Sequence, residues 1–205
     1  MYQRTEEWYS ARAGKVTASR LSDVIATTKS GDSASRSNYM AQLIAERLTG
    51  RCVEGFSSKA MQWGVDTEEL ARLAYESETG LIVSEVGFID HSIIEYSGAS
   101  PDGLVGDDGL IEIKCPETKT HIATLISNKA PSKYIPQMQW QMACTGRFWV
   151  DFVSFDPRMP ESLQLFIIRV QRDQDLIDKY ERSVRDFLSE MEDTITKLKS
   201  RGNNA

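Results

Sequence analysis

The chain has 205 residues, 40% of them hydrophobic, enough for one compact core and cramped for two. Its net charge of -6 argues by itself against binding a polyanion, because phosphate contacts need Lys and Arg. Three widely spaced cysteines (Cys52, Cys115, Cys144) with no C-x-x-C pair argue against a zinc or iron–sulfur cluster and a disulfide framework, and two histidines (His91, His121) against a histidine-rich metal centre.

The polar N-terminus lacks the apolar run of a signal peptide. Residues 1–51 carry eight basic and five acidic side chains, so this segment is +3 and the rest -9. A basic N-terminal third on an acidic body fits a DNA groove, and equally an ordinary scatter of charge. Residues 17–22 read as a capped helix start and residues 29–36 (KSGDSASR) as a polar loop. A helix follows, with Tyr39, Met40, Leu43, Ile44 and Leu48 on one face and Gly50 as its stop. A longer helix is expected over residues 58–79, ended by Gly80, with Met61, Val65, Leu70, Leu73 and Ala74 at helical spacing.

The period then shortens. Residues 81–90, 94–97 and 110–114 read as strands, residues 118–127 and 132–144 as helices, and residues 148–155 and 163–170 as two more strands. Pro136 must sit in the first turn of its helix, where the missing N–H costs little. The last element is a helix of about 25 residues with one apolar stripe: Leu176, Ile177, Tyr180, Val184, Phe187, Leu188, Met191, Ile195 and Leu198. No run of about 18 uncharged apolar residues occurs, so no membrane span is expected and the cytoplasm is the expected location. This order predicts a single domain over residues 1–205, an α/β or α+β sandwich with a central mixed β-sheet flanked by helices and a C-terminal amphipathic helix.

One constellation stands out. On a strand, side chains alternate faces, so Glu112 and Lys114 project together while Ile111 and Ile113 point into the core. Asp102, ten residues before Glu112, follows Pro101 on the preceding turn, and a hairpin-like return would bring the two carboxylates together. Two hard oxygen ligands suit Mg2+, and a neighbouring lysine suits the orientation or deprotonation of a water, or charge developing on phosphorus. An E-x-K on a strand is more often an ordinary ion pair on a sheet face, so these three residues alone leave that alternative open.

The surrounding motifs say more. Trp8, Arg12, Gly14, Thr17, Ala18 and Ser19 match W-x-x-x-R-x-G-x-x-T-A-S; Trp63, Gly64 and Glu68 match W-G-x-x-x-E. Ser100-Pro101-Asp102-Gly103 and Glu112-Ile113-Lys114-Cys115-Pro116 match the P-D-(D/E)-x-K metal-site core. Tyr134, Gln137 and Gln139 match Y-x-x-Q-x-Q, and Phe155-Asp156-Pro157-Arg158-Met159 a further segment. With five motifs in order, the chain resembles the phage lambda exonuclease family, the YqaJ-type viral recombinases of the PD-(D/E)XK nuclease superfamily, over residues 8–170.

The resemblance implies a restriction-endonuclease-like core and an Mg2+-dependent 5′-3′ exonuclease of alkaline exonuclease type. Such an enzyme digests one strand of linear double-stranded DNA to mononucleotides and leaves 3′ overhangs for single-strand annealing recombination. It implies two Mg2+ ions per site, with Mn2+ as a substitute, held by Asp102, Glu112 and the backbone carbonyl of Ile113. Lys114 would serve the attacking water, Glu68 would add a carboxylate, and Gln139 rather than Gln137 would reach the active-site edge. Arg12, Ser19 and Ser100 would receive the terminal 5′-phosphate, chemistry that suits a planar guanidinium fork and a residue near a helix N-terminus. Met61 would act as the wedge that unpairs the duplex end, with core packing as its rival role. The implied partners are DNA ends bearing a 5′-phosphate, a single-strand annealing protein and two further copies of the chain in a homotrimer ring, in a bacterial or phage-infected cell. A ring with a basic channel and an acidic exterior would reconcile the net charge with DNA binding. Two other classes stay open: a structure- or site-specific endonuclease on the same core, and a non-catalytic DNA-end-binding module.

Overall fold

The computed structural model describes residues 2–28, 31–52 and 59–202. Helix α1 (Glu6–Arg12) starts at Thr5, whose hydroxyl accepts the backbone N–H of Trp8 at 3.3 Å, with Glu6 and Glu7 in the first turn and Arg12 in the last. Gly14 follows at φ +69°, and a Cβ there would collide with the Arg47 side chain. Its N–H donates to Glu46 and its carbonyl accepts from Arg47 Nε, which explains the glycine of the first motif.

Strand β1 (Val16–Thr17) leads into a 3-10 turn (Ala18–Arg20) and a four-residue helix α2 (Leu21–Val24), with no side-chain cap from Thr17. The helix start expected here is thus present only as this 3-10 turn and short helix, without the expected cap. Strands β2 (Thr27–Thr28) and β3 (Gly31–Asp32) form a small hairpin. Helix α3 (Ala34–Thr49) begins inside the segment expected to be loop, because Ser33 caps it by accepting Arg36 N–H at 3.1 Å; Lys29 and Ser30 lie outside the described residues. It ends at Gly50, in left-handed conformation, as expected. Tyr39, Met40, Leu43 and Ile44 are buried, but Leu48, one turn further, is exposed.

Helix α4 (Lys59–Thr79) is followed by short strands β4 (Val83–Ser84) and β5 (Ile89–Asp90) where one strand was expected. Then come β6 (Ser97–Ala99), β7 (Gly103–Val105), β8 (Gly109–Lys114), α5 (Thr118–Ser127), a 3-10 turn (Ser132–Tyr134) and α6 (Ile135–Thr145), with Pro136 in its first turn. Strand β9 (Trp149–Phe155), a 3-10 turn (Glu161–Leu163), β10 (Leu165–Gln171) and α7 (Gln174–Gly202) complete the chain.

Five strands form the main sheet in the order β10-β9-β8-β7-β4, all neighbours antiparallel except β8 and β9. A second, three-stranded sheet runs β1-β6-β5, with β1 parallel to β6. On one face of the main sheet, Ile111, Ile113, Val105 and Val153 pack against Ala71 and Tyr75 of α4. On the other, Leu110, Val150 and Phe152 pack against Met138 and Met142 of α6 and Ile177 of α7. A third apolar cluster joins α2, α3, α6 and α7; there Tyr39 stacks on Phe187 at 6.0 Å.

The face that α4 buries differs from expectation. Val65, Leu70 and Leu73 are exposed; Ala74 of the expected stripe packs half-buried against the sheet cluster, and Ala71 and Tyr75 are fully buried. The helix turns towards the sheet a small residue that permits close approach, and a hydroxyl for the buried carboxylate of Asp151: Tyr75 Oη donates to Asp151 Oδ2 at 2.8 Å. Arg169, opposite Asp151 on β10, binds both its oxygens and lies 3.4 Å over the Trp149 ring. Thus α4 is fixed to the sheet by a polar contact that apolar periodicity does not register. Along α7 the expected stripe is buried at Ile177, Tyr180, Val184, Phe187, Met191 and Ile195 and half-buried at Leu176 and Leu188, and Leu198 is exposed beyond the packed region. No helix among the described residues is long and apolar enough to cross a membrane.

Candidate active site

Asp102 immediately precedes β7, and Glu112 and Lys114 lie on β8. The antiparallel register pairs Gly103 with Ile111, which returns the chain so that Asp102 reaches the end of β8. There Asp102 Oδ2 accepts the backbone N–H of Ile113 at 2.6 Å. Gly103 allows this approach, since a Cβ would meet the Val83 side chain.

Glu112 is fully buried, on the sheet face that α6 covers. Its Oε1 accepts from Gln137 Nε2 at 2.6 Å and from Lys114 Nζ at 2.5 Å; its Oε2 accepts from Gln141 Nε2 at 2.6 Å. Gln137 and Gln141 are four residues apart, hence on one face of α6, and together they hold both oxygens of one carboxylate. Gln139 points elsewhere. Its amide donates to Gln171 O and its carbonyl oxygen accepts Asp173 N–H at 2.9 Å, beside the start of α7. The expectation that Gln139 reaches the active-site edge is therefore corrected, because two residues along a helix place a side chain on nearly the opposite side. Gln141 escaped the motif reading; its four-residue spacing from Gln137 on an apolar helix was the available signal.

The electrostatics follow from burial and crowding. Burial, then the Glu112 charge, raise the Asp102 carboxyl well above the usual range, with Lys114 opposing. Burial lowers the Lys114 ammonium, but Glu112 and Asp102 outweigh it and hold the group above its ordinary value. Lys114 Nζ also lies 5.1 Å from the centre of the Tyr134 ring. Cys115, next in sequence, is pushed up to about 12 by burial and the nearby Glu68 and Asp102 carboxylates, so it is an unreactive thiol.

Asp102 and Ile113 open onto a cleft of about 350 Å³, also lined by Glu68 of α4 and by Gln3 and Arg4. Glu68 is part-exposed there and its Oε2 accepts from Arg4 Nη2 at 2.6 Å. Among the described residues no three His, Cys, Asp or Glu side chains converge as a ready-made metal cage. Two crowded carboxylates, one with its ionisation opposed by the other, plus a backbone carbonyl, nonetheless fit a hard divalent cation. Mg2+ in particular binds through one or two carboxylates and takes its remaining ligands from water and substrate phosphate.

The anion-binding candidates sit on the neighbouring sheet. Arg12 lies 3.8 Å over the Trp8 ring, and Trp8 Nε1 donates to Ser100 Oγ at 2.9 Å. Among the described residues no hydrogen bond or ion pair occupies the Arg12 guanidinium, and burial lowers its pKa from the usual value. Ser19 is exposed on the 3-10 turn, 3.4 Å from Thr17 Oγ1. The parallel pairing of Thr17 with Gly98 carries Ser19 and Ser100 off the same end of β1 and β6. The helix dipole expected to aid Ser19 is not provided, since the helix that follows has only four residues. The side chain of Met61 lies outside the described residues. Arg158 binds both oxygens of Asp156, donates to Pro116 O at 3.1 Å and lies 4.6 Å over the Trp63 ring, tying the end of the β8 segment to α4.

A YqaJ-like viral recombinase domain matches residues 7–148, which takes in all three residues of the carboxylate–lysine cluster. The chain belongs to the YqaJ-like viral recombinase family. Among solved structures, this YqaJ-like chain is similar to the alkaline exonuclease LHK-Exo from Laribacter hongkongensis, with 55% identity and a TM-score of 0.91 over 98% of this chain and 99% of that one. The same exonuclease in complex with dAMP matches at 56% identity and a TM-score of 0.91, again over 98% and 99%. A phage-related exonuclease from Haemophilus somnus 129PT shares the fold at 20% identity, with a TM-score of 0.70 over 90% of this chain and 96% of that one. The mixed α/β architecture is thus that of the phage exonucleases, as expected of a PD-(D/E)XK core. No curated protein matches the chain.

Proposed function

We propose that this chain is a Mg2+-dependent deoxyribonuclease that digests one strand of linear duplex DNA from its 5′ end, releasing mononucleotides and leaving 3′ overhangs. The observation that carries this reading is the convergence of Asp102, Glu112 and Lys114 at the end of one β-hairpin. The chain holding them is 55% identical over 98% of its length to an alkaline exonuclease.

Asp102, Glu112 and the Ile113 carbonyl would hold the metal, two ions being the expected number and Mn2+ a substitute, with Glu68 adding its carboxylate from the α4 side. When bound, the metal supplies charge to the scissile phosphate and acidifies a water. Gln137 and Gln141 keep the Glu112 carboxylate in one orientation. Lys114, held as a cation by Glu112 and Asp102, orients the attacking water and offsets negative charge growing on the phosphate oxygens. Arg12, with its guanidinium open, takes the terminal 5′-phosphate with Ser19 and Ser100. Trp8 carries Arg12 on its ring and Ser100 on its indole N–H, so one aromatic side chain sets both. Met61 is proposed to wedge the duplex end apart. The biological setting proposed is recombination with a single-strand annealing protein, the exonuclease working as a homotrimer ring.

The test uses one plasmid in two forms, linear with 5′-phosphate ends and covalently closed, each incubated with Mg2+ or with a chelator, beside Lys114→Ala. Loss of the linear form alone, only with metal, and not with Lys114→Ala, is the expected result. Cutting of the closed circle would give the endonuclease reading instead, and no cutting of either form with any metal would leave a DNA-end-binding module.

A further inference from the structure

The residues before α1 form part of the wall of the active-site cleft. Gln3 Nε2 donates to Pro101 O at 2.7 Å and to Val86 O at 3.1 Å, so the segment is stapled to the residue that precedes Asp102. On its other side, Thr5 caps α1 and Trp8 is held by Ser100. Arg4 lies between these anchors at φ +67°, a left-handed conformation that a residue with a Cβ adopts only at a cost. Its guanidinium lies in the cleft, 2.6 Å from Glu68 Oε2. Neither partner is deeply buried: 44% of the Arg4 side chain and 30% of the Glu68 side chain are accessible, so the contact can exchange. Arg72, the other arginine lining this cleft, is already paired with Glu85.

We infer that Arg4 is an exchangeable counter-ion of the active site, neutralising Glu68 until a divalent cation takes over the carboxylates and then transferring its guanidinium to a backbone phosphate of the bound DNA strand. The inference rests on the metal-dependent nuclease reading above. An arginine keeps its charge at any working pH, so a divalent cation entering beside Glu68 competes with it for that carboxylate and repels it. Once displaced, the planar fork faces the cleft, where the anion to be bound is a phosphate that it can grip with two parallel hydrogen bonds. A residue that only closed the N-terminal segment would need neither the charge nor the strained backbone that aims it at Glu68.

The two halves predict changes of opposite sign from one substitution. In the full-length protein without DNA, Arg4→Gln is expected to bind Mn2+ more tightly by calorimetry, about 3- to 10-fold for the loss of one part-screened positive charge near the ion. In a Lys114→Ala background with Mg2+, where the DNA stays intact, the same substitution is expected to weaken binding of a duplex end. It should also lower the slope of log K against log salt by about one phosphate contact. Arg4→Lys should keep most of that slope. Arg4→Gly, which removes the charge and relaxes the left-handed backbone together, should show both changes without loss of thermal stability, separating the charge from folding. Unchanged or weaker Mn2+ binding by Arg4→Gln, or an unchanged salt slope, overturns the inference. Absence of Mn2+ uptake by the wild-type protein overturns the metal reading as well, which marks that failure off from the failure of Arg4 alone.

Discussion

Replacing Gln141 by Met removes the one donor to Glu112 Oε2 seen among the described residues and leaves the two donors to Oε1 in place. The volume of the side chain is nearly kept, so no large cavity opens. A hydrogen bond to a charged group contributes about 1.5–3 kcal/mol. Against that, Gln141 Oε1 is itself buried without a partner, and removing such an atom returns about 1–3 kcal/mol. The two nearly cancel, so the metal-free protein should unfold within about 4 °C of wild type, roughly the shift that 1 kcal/mol produces in a chain of this size. Metal binding should change more. Each carboxylate oxygen accepts at more than one site, so the Gln141 amide orients Glu112 without excluding a cation, and losing an orienting partner of this kind typically costs about 10- to 100-fold in metal affinity. The assays are a calorimetric Mn2+ titration and thermal unfolding at fixed Mn2+. At a concentration of about 100 times the wild-type dissociation constant, the metal stabilises wild type by about 2.7 kcal/mol, and a tenfold weaker variant by about 1.4 kcal/mol. If Gln141→Met takes up Mn2+ as tightly as wild type, the glutamine pair does not set the carboxylate and the argument fails.

Three further outcomes follow from the geometry. Arg12→Ala should erase the preference for 5′-phosphate over 5′-hydroxyl ends, measured as the ratio of initial rates on the two substrates; an unchanged ratio would place the phosphate elsewhere. Tyr75→Phe removes the O–H that Asp151 accepts at 2.8 Å and should destabilise the fold by about 1–2 kcal/mol in urea, with Arg169 still pairing the carboxylate; a neutral result would mean that α4 is held by packing alone. Burial opposes ionisation of Asp156, but Arg158 and Thr118 pull its pKa down to about 2 from the usual 3.8. A folded pKa below the unfolded one gives stability that is complete above about pH 4 and lost as pH falls towards 2. Asp156→Asn should therefore show a shallower loss of stability across that window, and an equal slope would assign the acid sensitivity to other carboxylates.

Much of this was legible in the sequence. Alternation on β8 put Glu112 and Lys114 on one face, and the short return from Asp102 brought its carboxylate to the same strand end, because strand period and hairpin register are local properties. Helix α7 and the stops at Gly50 and Gly80 follow equally from local periodicity and from the left-handed turn that glycine tolerates. The buried face of α4 was not legible. Its stripe of Val65, Leu70 and Leu73 outscores Ala71 and Tyr75 in hydrophobicity, yet the sheet selects the latter, since close approach and a hydroxyl for Asp151 are rewarded only once β9 and β10 are in place. Gln139 was expected at the active-site edge, but Gln137 and Gln141 hold Glu112: their four-residue spacing puts those two on one face of α6, and the packing of α6 on β8 decides that this face meets Glu112. The Arg4–Glu68 contact joins residues 64 apart along the chain. Local pattern fixes which side chains share a face of an element; the packing of elements decides which faces meet.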